Sequence, residues 1–323
     1  MLRRLIVAAA LCAGVAWSGN AAAQADSFPN NTVKIVVPTA PGGPLDVLGR
    51  LITPRLRQIW GQSVIIENRP GGALMIGANA VAKASPDGYT LLLSNDGPIT
   101  INPNLYKKMP YDPKKELAPV TNVVDAPFVL VVNAAVPAKS VAEFVALAKS
   151  TPGKINFASG GNTSRLAAEL FRLSAGIEVV NVPYNGSGQA ILGVVGGEVH
   201  MMIDGITSSL PHVMSGKLRA LGVGTQSRLK ELPDIPTVEE TIPGYIGKTW
   251  LGLFAPAGTP RDIVDKIQAS IAKVLQEPEL RERLVALGMY PVANAPSEFA
   301  AFLDADTRQW ERVIRDAKIE RLE

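Results

Sequence analysis

Two stretches of this chain set small, flexible residues and hydrogen-bond donors at the point where an apolar run gives way to a helical pattern. The first is Pro38-Thr39-Ala40-Pro41-Gly42-Gly43, which leads into Pro44. The second is Ser159-Gly160-Gly161-Asn162-Thr163-Ser164, which leads into Arg165. A glycine-rich loop feeding a helix start offers free backbone N–H groups and the positive end of a dipole, which suits an anion. Without a Cβ in the way, an oxygen can come close to the main chain. Arg165 adds a side chain able to pair with a carboxylate through two parallel bonds, although the same position also suits a solvated first-turn arginine. Asn95 and Tyr184 are further neutral donors. Asp46, Asp96 and Asp204 each follow an expected strand end, where open α/β sheets usually meet their ligands. Capping or loop ordering suits these three better than acid–base work. Many donors and few general bases fit binding without transformation.

Other chemistries lack their residues. There are two histidines, His200 and His212, and no H-E-x-x-H spacing, so no metal and no cofactor are expected. His200 is read as an exposed strand-face residue and His212 as a helix-surface one. No G-x-S-x-G elbow occurs, since Asn185-Gly186-Ser187-Gly188 runs in the wrong order. Gly193, Gly196 and Gly197 do not make a dinucleotide fingerprint, and no lysine follows either glycine loop as a phosphate binder would require. The formal net charge is +3, with no basic cluster, which excludes nucleic acid as a partner.

The elements that must position these residues alternate. Val33 to Val37 reads as a buried strand, and Leu45, Leu48, Ile52, Leu56 and Ile59 recur at helical spacing after it. Pro54 falls inside that helix and should kink or split it. Strands are expected over 63–67, 89–93, 128–132, 155–158, 178–182, 199–203, 218–223 and 250–255, with helical patterns between most of them, as in a parallel sheet with crossover helices. Residues 99–121 read as irregular. Ser140, with Glu143 three residues on, is a capping box. Thr259-Pro260 and Ser297 are read as caps of the last amphipathic helices, which should pack outside the first lobe. Met1 to Ala25 reads as a secretory signal peptide: Arg3-Arg4, an apolar stretch from Leu5 to Trp17, and Ala23-Gln24-Ala25 as the cleavage site. The lone cysteine, Cys12, falls within it, so the mature chain has no thiol chemistry. No later segment has the roughly 18 apolar residues of a membrane span.

Several motifs resemble one family: P-x-A-P-G-G-x-x-D at 38–46, ENRPGG at 67–72, PDGYTLLL at 86–93, PYNGSGQA at 183–190, GEVHMM at 197–202, LPDIPTVEE at 232–240 and FAPAGTP at 254–260. The chain is identified as a member of the extracytoplasmic solute receptors of tripartite tricarboxylate transporters, the Bug receptors. The resemblance implies a type II periplasmic-binding-protein fold: two α/β lobes joined by a two-strand hinge, lobe 1 over 26–126 plus 250–323 and lobe 2 over 127–249. It implies a monomer that closes on a small organic carboxylate and works with membrane permease subunits. The candidate ligand set comprises Thr39, Ala40, Gly42, Gly43 and Asp46, in the loop that the resemblance implies, with Asn95 and Asp96 read from the strand ends of lobe 1. From lobe 2 come Ser159, Gly161, Asn162, Thr163, Ser164, Arg165, Tyr184, Gly186 and Asp204. Arg165 stands where the family commonly has histidine, which shifts the expectation toward dicarboxylates. A ligand sensor for a signalling protein is the alternative left open, and a periplasmic enzyme using Asp46 or Asp204 as base is a third.

Overall fold

The computed structural model describes residues 28–230 and 232–323; the expected signal segment lies outside them. Strand β1 (Val33–Val37) is buried except at Lys34, which pairs with Glu67, as suits a central parallel strand. It runs through the first glycine loop into helix α1 (Pro44–Trp60), whose Leu45, Leu48, Ile52 and Leu56 face the core. Pro54 does not split this helix. The proline is exposed, and so is Arg50, whose carbonyl loses its donor to it, so water can serve that carbonyl.

Strand β2 (Val64–Asn68), helix α2 (Met75–Ala82) and strand β3 (Thr90–Asn95) complete the opening unit, with β1 parallel to both other strands. A short π-helical turn, Gly97–Ile101, and a single α-turn, Asn102–Leu105, follow. Strand β4 then runs for 17 residues, Leu117–Asn133. Part of the stretch expected to be irregular is therefore strand. Its prolines hid it: Pro119 sits at a register shift, where no ladder donor is needed, and Pro127 sits where β4 changes partner.

The second half of the molecule is built from helix α3 (Val141–Ser150), strand β5 (Ile155–Ser159), helix α4 (Asn162–Ala175), strand β6 (Val179–Pro183), helix α5 (Ser187–Gly196), strand β7 (Met201–Gly205), helix α6 (Ile206–Met214) and strand β8 (Leu218–Val223). Strand β9 (Lys248–Pro256) returns to the first half, followed by helices α7 (Arg261–Val274) and α8 (Pro278–Ala286), the two-residue strand β10 (Tyr290–Pro291) and helix α9 (Pro296–Asp316). The strand order is β2-β1-β3-β9-β4-β7-β5-β6, with β8 and β10 also on β4. Up to Pro127, β4 pairs with β9; from Phe128 onward it pairs with β7 and β8. One strand thus belongs to two sheet halves.

Each half has its own core, the first around Ile35, Leu48, Leu93 and Ile267, the second around Phe128, Phe144, Phe171 and Ile203. Helices α7 and α8 pack on the first core, as expected. Helix α9 differs. Phe299 near its start packs with Trp250 and Phe254, whereas Trp310, Val313 and Ile314 near its end join the second core. A 21-residue helix spans about 30 Å, enough to cross both halves. Two expected caps are also displaced. Ser297 lies inside the first turn of α9, where Glu298 instead accepts from the Ala295 N–H at 3.1 Å. The Thr259 hydroxyl donates to the Pro256 carbonyl at 2.8 Å, and α7 starts after Pro260.

Candidate functional site

The first loop is ordered by its own helix. Asp46 is buried and accepts from the Gly42 N–H and from Arg50 Nε, both at 2.9 Å. The Arg50 contact, chiefly, and the Gly42 bond hold its carboxyl below the usual range against the opposing effect of burial. Asp46 is therefore a brace for the loop, with Asn68 donating to the Thr39 carbonyl at 3.0 Å from the other side. Thr39 Oγ1 is buried without a partner among the described residues, beside Gly43, while Ala40 is exposed. Lys34, Ile35 and Val36 pair with Thr90, Leu91 and Leu92, and continuing that register puts Thr39 level with Asn95.

The second loop begins at buried Ser159, whose carbonyl accepts the Tyr184 N–H at 2.8 Å. Gly160 packs directly on the next loop: a methyl group there would run into the backbone of Gly186 and Ser187. The Gly160 N–H donates to Ser164 Oγ at 2.8 Å, which turns the chain into α4. Phe157 and Ala158 pair with Met201 and Met202, and the same register carries Gly160 level with Asp204.

The carboxyl ends of the two sets of parallel strands meet. Thr163 Oγ1 of α4 donates to Asp96 Oδ1 at 2.5 Å and lies 3.5 Å from Asn95 Nδ2. Asn162 Nδ2 donates to Asn102 Oδ1 at 2.8 Å. Behind Asp96 lies a second buried acid. The Thr100 hydroxyl donates to Asp306 Oδ2 at 2.6 Å, and the indoles of Trp250 and Trp310 donate to the same oxygen at 3.1 and 3.2 Å. Desolvation, and then the charge of Asp306, push the Asp96 carboxyl up to about 8, opposed by Thr163, Thr249 and the Gly97 N–H. Desolvation pushes Asp204 up to about 6, opposed by Ser187 and the Gly205 N–H. Near neutral pH Asp96 is thus mostly uncharged, so it does not repel an anion at this junction.

Most of the expected residues come together here: Thr39, Asn95 and Asp96 on one side, and Ser159, Asn162, Thr163, Ser164 and Asp204 on the other. Gly42, Gly43, Gly161 and Gly186 shape the loops that carry them. Asn95 Oδ1, Asp96 Oδ2, Asp204 Oδ2 and Arg165 Nε are all buried with no hydrogen-bond partner among the described residues. Arg165, in the first turn of α4, is half-buried and makes no ion pair among the described residues. Tyr184 is occupied elsewhere, its hydroxyl turned onto Glu198 at 3.1 Å. His200 lies just ahead of β7 rather than on it. It is half-buried, and its Nδ1 accepts from the Asn156 N–H at 3.0 Å.

The family described as "Tripartite tricarboxylate transporter family receptor", TctC, matches residues 48–319. The chain belongs to this family. The BugT protein of Bordetella pertussis is 34% identical over 94% of this chain and 94% of its own length. Rpa4515 of R. palustris, solved with adipate, is 34% identical over 91% of this chain and 100% of that one, with a TM-score of 0.86. MatC of Rhodopseudomonas palustris, solved with bound malate, is 34% identical over 89% of this chain and 100% of that one, with a TM-score of 0.81.

This TctC receptor is a solute-binding protein, not an enzyme. Several residues at its junction escape the motif reading: Thr100, Asn102, Thr249 and Asp306. Only Asp306 carried a signal. It falls four residues before Trp310 on the apolar face of α9, where an acid has to be bonded to be tolerated.

Proposed function

We propose that this receptor acts in the periplasm, captures a small organic carboxylate between its two sheet halves, prefers dicarboxylates, and hands the ligand to membrane permease subunits. The halves are the two lobes, 26–126 with 250–323 and 127–249, which close by a hinge motion of a monomer. The observation that carries this reading is the meeting of two strand-end loops rich in neutral donors, joined by Thr163 to Asp96 and Asn162 to Asn102. One ligand carboxylate is taken by main-chain amides and hydroxyls of the loops at 38–43 and 159–164, with bridging water where the reach is long. Arg165, whose buried Nε has no hydrogen-bond partner among the described residues, takes the second. Adipate and malate, the ligands of the two solved relatives, are both dicarboxylates. The transporter system that gives the family its name supports delivery to a permease.

A thermal-shift and calorimetry panel of acetate, benzoate, succinate, malate and adipate tests the reading. A dicarboxylate is expected to bind, and at a hundred times its Kd to add about 2.7 kcal/mol of stability. Tighter binding of the monocarboxylates would remove the dicarboxylate preference. A panel in which no carboxylate binds would overturn the proposal.

A further inference from the structure

Between β2 and α2 the backbone turns against the hand that L-residues favour. Gly71, Gly72, Ala73 and Leu74 have φ of 119°, 54°, 50° and 71°. A Cβ in this conformation crowds the following carbonyl, so non-glycine residues visit it singly at most; here two in succession do so. The turn is held on three sides. Gly77 of α2 lies so near Pro38 and the Arg69 carbonyl that a methyl there would be 2.9 Å from each. The Ala73 carbonyl accepts from Asn102 Nδ2 at 3.0 Å, and Asn102 is the residue bonded by Asn162 of α4. Leu74 itself reaches Gly97: a methyl on that glycine would lie 3.6 Å from Leu74 Cδ1, 3.3 Å from Asn95 Oδ1 and 3.7 Å from Thr163 Oγ1. A branched alkyl group is thereby placed among the polar atoms of the junction. Ala73 is exposed and Leu74 half-buried, so the turn stands at the rim with the leucine reaching inward.

Backbone strain of this kind persists where the surroundings over-determine it, and it collects at ligand clamps. Glycine or asparagine would adopt the same turn with less strain, so what leucine adds at this position is its side chain. We propose that Leu74 is a specificity-determining wall of the ligand cavity, facing the carbon chain of the bound carboxylate and favouring an unsubstituted segment over a hydroxylated one. The inference rests on the carboxylate reading above. A ligand hydroxyl pressed against Leu74 would lose its water without gaining a partner.

Calorimetric titration of the wild type, Leu74→Asn and Leu74→Gly with adipate, succinate and malate tests this; succinate and malate differ by one hydroxyl. The wild type is expected to bind adipate or succinate more tightly than malate. Leu74→Asn, similar in volume and tolerant of the turn, is expected to shift that ratio toward malate by about tenfold with an unchanged or higher Tm. Leu74→Gly is expected to lose discrimination by weakening the unsubstituted ligands alone. An unchanged ratio in both variants, equal weakening of all ligands, or a wild-type preference for malate would overturn the inference while leaving the carboxylate site standing. If the wild type takes a different carboxylate, the same comparison with its hydroxylated analogue decides. Failure to bind any carboxylate would remove the reading of the site, and this inference with it.

Discussion

Asp96 keeps a proton because burial and the neighbouring Asp306 disfavour its charge, and that proton links stability to pH. Its carboxyl titrates at about 8 in the folded protein, against about 3.9 when the chain is unfolded. Between those values the folded state binds more protons than the unfolded one. The contribution of Asp96 to stability therefore falls as pH rises from about 4 to about 8, at up to about 1.4 kcal/mol per pH unit, and levels off above. Asp96→Asn never ionises and keeps the oxygen that accepts from Thr163. It should lose this slope, which urea unfolding of both proteins between about pH 6 and about pH 8 would reveal. A steep slope surviving in the variant would assign the titration elsewhere. Arg165 makes the opposite case, a permanent charge whose buried Nε has no partner among the described residues. Arg165→Ala should change stability by no more than about 0.5 kcal/mol. It should weaken dicarboxylates tenfold or more, since a charge-assisted bond is worth about 1.5–3 kcal/mol, and monocarboxylates much less. Equal losses for both ligand types in calorimetry would deny the residue its role as the second clamp.

At the scale of elements, the two loops depend on how closely their neighbours approach. A side chain at Gly160 meets main chain rather than a movable side chain. Gly160→Ala should therefore cost about 1–3 kcal/mol, read as a lower urea midpoint, and should weaken ligand by displacing the start of α4. Both loops, and the helices they enter, were legible because strand, small residues and helical spacing follow one another without interruption at 33–59 and 155–173. Strand β4 was not, because Pro119 and Pro127 mark breaks in a chain read residue by residue, while the fold uses them at a register shift and a change of partner. At Pro54 the helix loses a hydrogen bond on its wet side, which is why it is not split there. The left-handed turn at 71–74 was hidden because Gly71-Gly72 announces a turn without telling its hand, and nothing local says that Ala73 and Leu74 continue it. The partnership of Asp96, Thr100 and Asp306 joins residues more than two hundred apart in sequence, beyond the reach of any spacing rule.

Across the whole molecule, two features tie the halves together. Strand β4 lies in both sheets, and α9 runs from Phe299 in one core to Trp310 in the other. Trp250 of β9 and Trp310 of the second core hold the same Asp306 oxygen. Loss of either core therefore strips partners from the other, and denaturant should unfold the protein in a single transition. Tryptophan fluorescence and far-ultraviolet circular dichroism should give superimposable curves; two separated midpoints would show that the halves melt independently.

The place of β9 also bears on how the protein is made. It pairs with both β3 and β4, yet the ribosome supplies it only after the entire stretch from β5 to β8. Until Lys248–Pro256 emerges, the nascent chain carries the apolar run Thr90–Asn95 and the front of β4 with their hydrogen-bonding edges open, the kind of edge at which chains aggregate.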